Sequence, residues 1–302
     1  MLIQKIILFL YFLTLGFSAS ADRSQHNPII SDNADEKIQA EVILDNPAGI
    51  KLFMAPEADE KPESSPSSPP LATDDPGTPG RNGYEINFIT DCDRAHGSQA
   101  CESGVDAAFG IGDKVQFRIS KFRTQNQNDG DPTRKGWGAT DVGIKWRFWD
   151  KDGLRVAVFP SFRADDASIK INPDGTVIPS DGRSIYIPLI VSKDIGKYTV
   201  VANVGRRENL DDANQSSVFT SIAIGRAIGP YSRIISEVAS ESSHEGRRTD
   251  VRIGWVKVLF PNRASRYQTS LFTSVGRSVG STNDGKTHAT LLFGLSFARK
   301  PN

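Results

Sequence analysis

Apolar and polar residues alternate in short segments along the chain from Tyr84 to Phe297, and turn-forming residues separate these segments. The alternation is strict in residues 138–148. There the apolar set is Val142, Ile144, Trp146 and Phe148, and the polar set is Asp141, Gly143, Lys145 and Arg147. Because successive side chains of a β-strand point to opposite faces, each such segment predicts a strand with one apolar face and one polar or charged face.

Twelve segments of this kind are predicted as strands. They are residues 84–90, 105–111, 115–122, 140–149, 154–163, 184–193, 198–206, 218–227, 232–240, 249–260, 267–277 and 288–299. The even-numbered strands are followed by tight turns, whereas the odd-numbered strands are followed by longer polar segments, of which 124–138 and 164–183 are the longest. An even number of strands with alternating loop lengths is typical of a transmembrane β-barrel with both termini in the periplasm. We therefore predict a closed antiparallel barrel of about 12 strands, with a secreted soluble β-sandwich as the competing fold.

The N-terminus predicts export from the cytoplasm. Lys5 precedes an apolar run at residues 6–17, and Ala19-Ser20-Ala21 provides small residues for cleavage, so residues 1–21 are predicted to be a secretory signal peptide. The apolar run is too short for a membrane-spanning helix, which needs about 20 residues. Together with the barrel pattern of residues 83–302, this peptide predicts the bacterial outer membrane as the location.

Residues 22–82 differ in composition from the rest of the chain. They have a net charge of −7 and six prolines between Pro62 and Pro79, whereas residues 83–302 have a net charge of +6. Such a composition cannot bury a core, so we predict a disordered periplasmic tail. Residues 38–54 are more apolar. They are predicted either to have only transient structure or to form a short hairpin that docks in the lumen or on a partner.

Two cysteines, Cys92 and Cys101, lie near the predicted first loop. Because an exported chain folds in an oxidising compartment, they are predicted to form a disulfide that closes an eight-residue loop. With only two thiols and His96 nearby, no metal site is expected here. No cofactor is predicted elsewhere in the chain.

Polar strand faces point into the lumen of a barrel, so their charged residues are the candidate functional residues. The predicted pore-lining set is Arg118, Asp141, Lys145, Arg147, Arg155, Arg163, Glu237 and Arg252. Within it, Lys145, Arg147, Arg155 and Arg163 form the best candidate for a basic patch. These residues have two interpretations: a constriction that selects solutes by charge and size, or a salt-bridged network that fills the lumen. Twelve strands lie between barrels that side chains fill and barrels that leave a channel, so the sequence leaves both open.

Four stretches resemble successive hairpins of a known family. They are residues 109–117 (Phe-Gly-Ile-Gly-Asp-Lys-Val-Gln-Phe), 138–148, 157–160 and 188–196. They are similar to a family of bacterial outer-membrane barrels known as meta-pathway phenol degradation proteins or simply as transporters. The resemblance spans residues 83–298. It implies a barrel of about twelve strands that takes up small, including aromatic, molecules, and it transfers no binding residues.

The sequence therefore predicts an outer-membrane channel for small solutes, with aromatic or anionic solutes as candidates. The alternative is a non-conducting structural or surface-interaction barrel. The expected partners are outer-membrane lipid, lipopolysaccharide and a small solute, and no nucleic acid. An enzyme is not predicted, although the pattern leaves open that His288 pairs with a serine on another strand.

Overall fold

The computed structural model describes residues 71–130, 133–164, 170–171, 177–178, 182–244, 246–261, 265–280 and 285–299. The predicted signal peptide, the segment 38–54 and the tail up to residue 70 lie outside the described residues. Within the described part, no helix is long and apolar enough to cross a membrane.

Twelve barrel strands follow one another in the described residues. Their bounds are β1 Tyr84–Ala95, β2 Ser98–Gly110, β3 Val115–Asn128, β4 Arg134–Lys151, β5 Leu154–Val158 continued by Ser161–Ala164, β6 Arg183–Ile195, β7 Tyr198–Asn209, β8 Ser217–Gly229, β9 Ser232–Ser243, β10 Gly246–Leu259, β11 Tyr267–Ser278 and β12 Ala289–Arg299. Two short strands, Lys170–Ile171 and Val177–Ile178, pair with each other between β5 and β6.

The strands form one closed antiparallel barrel. Each strand pairs with its neighbours in the chain, and β1 pairs with β12 from Tyr84 opposite Arg299 to Arg94 opposite Ala289. Closure leaves no sheet edge with unpaired backbone groups, which lipid would not tolerate. The predicted fold, a closed antiparallel barrel of about 12 strands, is confirmed.

The two faces of the barrel wall differ as predicted from the alternation. Outward side chains such as Phe88, Trp146 and Ile253 are apolar and about half exposed, whereas inward side chains such as Glu85 and Lys145 are buried. Aromatic residues near the strand ends, among them Tyr84, Trp149 and Tyr267, border the apolar outer belt. This outer belt is that of a barrel that crosses the bacterial outer membrane.

Two predicted loops are much shorter in the structure, because the strands extend beyond the lengths that the sequence suggested. Only residues 96–97 separate β1 from β2, and only residues 244–245 separate β9 from β10. The predicted loop 124–138 is mostly strand as well. We assign the opposite end, where residues 111–114, 152–153 and 196–197 form tight turns, to the periplasm.

The disulfide between Cys92 and Cys101 is present, but its geometry differs from the prediction. The two cysteines are directly opposite each other in the β1–β2 ladder, with their Cα atoms 4.1 Å apart. They point outward, on the same face as Phe88 and Val105. The disulfide therefore joins two paired strands beyond the apolar belt, and it does not span a loop.

Strand β5 is interrupted at Phe159-Pro160. Proline has no backbone N–H for the ladder, and the carbonyl oxygen of Pro160 accepts a hydrogen bond from the backbone N–H of Ile144 at 3.0 Å. The barrel wall stays closed there because β4 pairs with both segments of β5. Across the break Phe159 stays on the inward face, together with Ala157 and Ser161, and it is buried.

Candidate functional site

The inner wall of the barrel is not uniformly polar. Two buried apolar clusters face the interior, and they adjoin where Val201 of β7 is opposite Ala223 of β8. One is Ala157, Phe159, Ile190 and Val201, and the other is Ala223, Ile235, Val256, Phe272 and Leu292. The alternation predicted a polar lumen, and these inward apolar positions depart from that prediction.

Residues 71–79, which we call the plug segment, lie inside the barrel before the chain enters β1. Leu71 packs against the cluster that contains Ile235 and Phe272. Thr73 is almost completely buried, with 1% of its surface exposed, and its hydroxyl donates to the Ser221 hydroxyl at 2.8 Å. Such burial requires the barrel wall to surround this part of the chain.

One wall contact of the plug segment is a carboxylate that binds two consecutive backbone groups. The N–H groups of Ala72 and Thr73 donate to the two carboxylate oxygens of Glu237, at 3.2 and 2.6 Å. Glu237 is on β9 and is itself buried. Hydrogen bonds to an ionised group are stronger than those between neutral groups, so Glu237 is the main polar anchor on this side.

In the other wall contact the roles are exchanged, because here the plug segment supplies the carboxylate and the wall supplies the donors. Asp74 Oδ1 lies 3.2 Å from Arg118 Nη1 and 3.9 Å from Lys145 Nζ, and Lys145 Nζ also donates to the carbonyl oxygen of Asp75 at 2.8 Å. Arg118 forms a second ion pair with Asp106 at 2.6 Å. The Lys145 side chain has no exposed surface, and a buried cation requires such partners.

The plug segment crosses the lumen. Its partners Ser221 and Glu237 belong to β8 and β9, whereas Arg118 and Lys145 belong to β3 and β4, five strands away around a barrel of twelve. Strands that far apart are on nearly opposite walls. Residues 71–75 therefore bridge the interior, and in this conformation they obstruct the passage along the barrel axis.

A tight turn at residues 80–83 leads from the plug segment to β1. The N–H of Gly83 donates to the carbonyl oxygen of Gly80 at 2.9 Å, and Thr78 Oγ1 donates to the carbonyl oxygen of Asp113 in the periplasmic turn. A Cβ atom on Gly110 would lie 1.7 Å from the Gly80 carbonyl oxygen. Glycine at 110 is thus required for the turn to pack against the wall.

The structure places the predicted pore-lining residues in different surroundings. Arg118, Lys145 and Glu237 contact the plug segment. Arg147 and Arg155 are near the periplasmic rim, where Arg147 Nη2 donates to the Asp113 carbonyl oxygen and Arg155 pairs with Asp194 at 2.9 Å. Asp141 and Arg163 are cross-strand neighbours on the inner wall. The predicted basic patch is thus divided, and only Lys145 of its four members contacts the plug segment.

Arg252 belongs to a separate set of charges in the extracellular half of the lumen, which we call the upper network. It consists of Asp91, Asp93, Arg248, Asp250, Arg252 and His288. Arg252 lies 3.6 Å from Asp91 and 3.7 Å from Asp250, and Arg248 pairs with both Asp93 and Asp250. The arginines of β10 reach β1 across β11 and β12 because the inward residues between them, such as Gly276, are small.

His288 is part of this network. Its Nδ1 lies 2.7 Å from Asp93 Oδ1, and its backbone N–H donates to Ser278 Oγ at 2.8 Å. The Ser278 hydroxyl thus accepts a hydrogen bond from the backbone of His288. In the described parts of the chain, no three or more His, Cys, Asp or Glu residues are grouped in a way that could hold a metal ion.

The residues of the plug segment and two acids of the upper network are not among the residues that the sequence predicts for the site. Thr73, Asp74 and Asp75 lie in a Pro-rich acidic stretch whose composition predicts disorder. Asp91 and Asp93 were placed in a loop because the predicted first strand ended at Thr90. Their spacing on one face of an extended β1 was the signal that could have identified them.

Among known proteins, only solved structures match this chain. No family model and no curated protein match this chain. Among solved structures, it is similar to an outer membrane channel from Pseudomonas putida F1, with a TM-score of 0.53 and 11% identity over 78% of this chain and 99% of that one. A KdgM porin in complex with oligogalacturonate matches with a TM-score of 0.44 and 8% identity, over 70% of this chain and 98% of the porin. The similarity to the Pseudomonas putida channel shows that this chain has the fold of an outer-membrane channel.

Proposed function

We propose that this protein is an outer-membrane channel for small organic anions with an apolar body, and that the plug segment closes it in the conformation described here. The observation that carries the proposal is the position of the Asp74 carboxylate between Arg118 and Lys145. A solute anion can take this position when the plug segment leaves the lumen.

The charges of the wall support an anion site. Arg118 keeps Asp106 as a partner when the plug segment is withdrawn. Lys145 loses both the Asp74 carboxylate and the Asp75 carbonyl oxygen, which are its polar partners among the described contacts. A buried ammonium group without a counter-charge is costly, so water or a solute anion has to replace these partners.

The neighbouring wall supports the apolar part of the solute. The Phe159 ring lies 5.4 Å from the Arg118 guanidinium and 5.3 Å from the Lys145 ammonium, measured to the ring centroid. Ala157, Ile190 and Val201 pack beside this ring. An apolar surface next to two cations favours a solute such as an aromatic carboxylate, which is compatible with the family that the hairpins resemble.

A non-conducting structural barrel is the second candidate. The upper network favours it, since its ion pairs connect β10 with β1 across the lumen wall and rigidify the barrel. The two candidates differ in what is expected when the plug segment is absent: the channel conducts ions and the structural barrel does not.

Liposome uptake of benzoate tests the proposed solute class. Full-length protein is compared with a variant in which residues 71–78 are replaced by an equally long Gly/Ser segment, and with that variant carrying Lys145→Gln. We expect the Gly/Ser variant to admit benzoate faster than the cation benzylamine, and Lys145→Gln to remove most of this preference. Equal rates for the two solutes would contradict the anion site, and absence of any uptake would favour the structural barrel.

A further inference from the structure

Four inward side chains of consecutive strands come together in the extracellular half of the lumen. They are Arg163 of β5, Tyr186 of β6, Arg207 of β7 and Phe219 of β8, and we call them the Tyr186 site. In the ladders Tyr186 is directly opposite Arg207, and Phe219 is directly opposite Gly205. All four side chains are partly exposed, so the solvent of the lumen reaches them.

The Tyr186 ring is held against the wall by its neighbours. The Arg207 guanidinium lies 5.2 Å from the centroid of this ring, and the Phe219 ring meets it edge to face with the two centroids 6.4 Å apart. A Cβ atom on residue 205 would lie 2.6 Å from Tyr186 Cε2, so glycine at this position lets the ring lie close to β7. The packing therefore fixes two aromatic rings and one guanidinium side by side.

The two arginines of this site have no carboxylate at ion-pair distance among the described residues. Asp141 is opposite Arg163 in the β4–β5 ladder and is within electrostatic range of both Arg163 and Arg207. Glu241 of β9 is near the Tyr186 hydroxyl, and it accepts a hydrogen bond from Ser217 at 2.6 Å. These acids offset part of the charge, but they leave the N–H groups of both guanidiniums available to a bound anion.

The Tyr186 site lies on the extracellular side of the plug segment. Asn203 of β7 is opposite Ser221, whose hydroxyl accepts the hydrogen bond from Thr73 of the plug segment. Arg207 is four residues nearer the extracellular end of β7 than Asn203, which is about 13 Å along a strand. The buried Asn203 amide oxygen has no hydrogen-bond partner in the described part of the chain, so it is available to a hydroxyl group of a solute or to water.

The Tyr186 site repeats the combination of an aromatic ring and two cations that the wall forms around Phe159. The two sites differ in what occupies them. Asp74 of the plug segment pairs with both cations of the Phe159 site, whereas no ion pair between described residues joins the plug segment to Arg163 or Arg207. The upper combination therefore stays available while the plug segment closes the lumen.

We propose that the Tyr186 site binds aromatic carboxylates that enter from the extracellular side, before the plug segment leaves the lumen. This inference rests on the proposed channel function. The carboxylate of the solute accepts charge-assisted hydrogen bonds from Arg207 and Arg163, and its ring packs on Tyr186 and Phe219. The site is thus the first of two successive binding sites for the same solute, and the second is the one that Asp74 occupies in the closed conformation.

The test measures binding of benzoate to the purified full-length protein in detergent by a ligand-observed NMR titration, with the plug segment intact. The variant is Arg163→Gln/Arg207→Gln, and the matched control Arg183→Gln/Arg206→Gln removes two outward arginines of β6 and β7. A gel of boiled and unboiled samples verifies that each variant is a folded barrel. We expect the Kd for benzoate to rise about tenfold or more in the first variant, as charge-assisted hydrogen bonds are lost, and to stay at the wild-type value in the control.

Two further measurements separate the charge of the solute from its ring. Benzyl alcohol has a similar size and no charge, and we expect the wild type to bind it about tenfold or more weakly than benzoate. Tyr186→Leu should weaken benzoate binding about threefold or more, because the aromatic contact is lost, whereas Tyr186→Phe keeps the ring and should bind like the wild type.

Unchanged benzoate binding by Arg163→Gln/Arg207→Gln would overturn this proposal, and so would an equal loss in the matched control or equally tight binding of benzyl alcohol. The outcome is distinguishable from that of the uptake assay. If the Gly/Ser variant takes up benzoate while the full-length protein does not bind it, the Tyr186 site is wrong and the channel stands. If binding depends on the two arginines but no uptake occurs, the site stands and the channel is contradicted.

Discussion

Two charged regions inside the barrel are built from the same residue types and differ in where the carboxylates come from. Around the plug segment, Arg118 and Lys145 of the wall pair with Asp74, which is not part of any strand. In the upper network, Arg248 and Arg252 pair with acids of strands β1 and β10. The first set of ion pairs can separate without unfolding the barrel, whereas the second can separate only if the wall deforms.

This difference shows that inward charge alone does not decide whether a barrel is open. A buried cation needs a counter-charge, and the segment that supplies it determines what the ion pair can do. A partner on the wall makes the pair structural. When the partner is on a segment that passes through the lumen, the same ion pair helps to close the lumen. Removal of that segment then exposes the cation as a binding site.

The largest effect is expected from replacing residues 71–78 by an equally long Gly/Ser segment. This removes the Leu71 packing, the Thr73 hydrogen bonds and the Asp74 ion pairs together. We expect single-channel conductance in planar bilayers to rise severalfold, with anions preferred because Lys145 is then unpaired. Unchanged conductance would contradict the channel and favour the structural barrel.

A smaller effect is expected from Glu237→Ala, which leaves the N–H group of Ala72 and the buried N–H group of Thr73 without their acceptor. Loss of hydrogen bonds to a charged group should weaken the closed state by about 2–5 kcal/mol. Frequent openings in bilayer recordings are the expected result. Glu237→Gln serves as the control, since an amide oxygen can still accept one of the two bonds and should give intermediate behaviour.

Reduction of the Cys92–Cys101 disulfide tests whether the extended β1–β2 hairpin, which carries Asp91 and Asp93, needs a covalent link. On the chain-entropy model a disulfide that encloses so few residues contributes about 2–3 kcal/mol at most. We expect dithiothreitol to lower the urea midpoint of unfolding, with no change in conductance. A change in conductance without a change in stability would indicate instead that the disulfide helps to keep the lumen closed.

The smallest effect is expected from Arg252→Gln in the upper network. Because the Asp91 side chain is 36% exposed, loss of this ion pair should cost about 1 kcal/mol of stability. Conductance and selectivity should stay at the wild-type level. A double-mutant cycle with Asp91→Asn isolates the pair, and an altered ion selectivity would show that this network also takes part in conduction.

Much of the barrel could be predicted from local pattern, whereas little of the candidate site could. Val142 to Phe148 identify a strand and its lipid-facing side, and the inward positions of Arg118 and Lys145 follow from the same alternation. The partners of those cations could not be identified, since Asp74 and Thr73 are far from them in the chain and lie in a stretch without periodicity. The break of β5 at Pro160 was not predicted, and neither was the β-bulge between Trp137 and Thr140, where the β3–β4 register shifts. Each depends on how a neighbouring strand pairs.

The sequence by itself determined the twelve-stranded barrel, the lipid-facing surface of each strand and the pairing of the two cysteines. These follow from local rules: alternation with a period of two, turn-forming residues and an oxidising compartment. Only the tertiary structure decided that residues 71–79 cross the lumen and that Lys145 is buried against them. That outcome depends on closure of the barrel, which brings Glu237 and Arg118 to opposite walls at a separation that the plug segment spans.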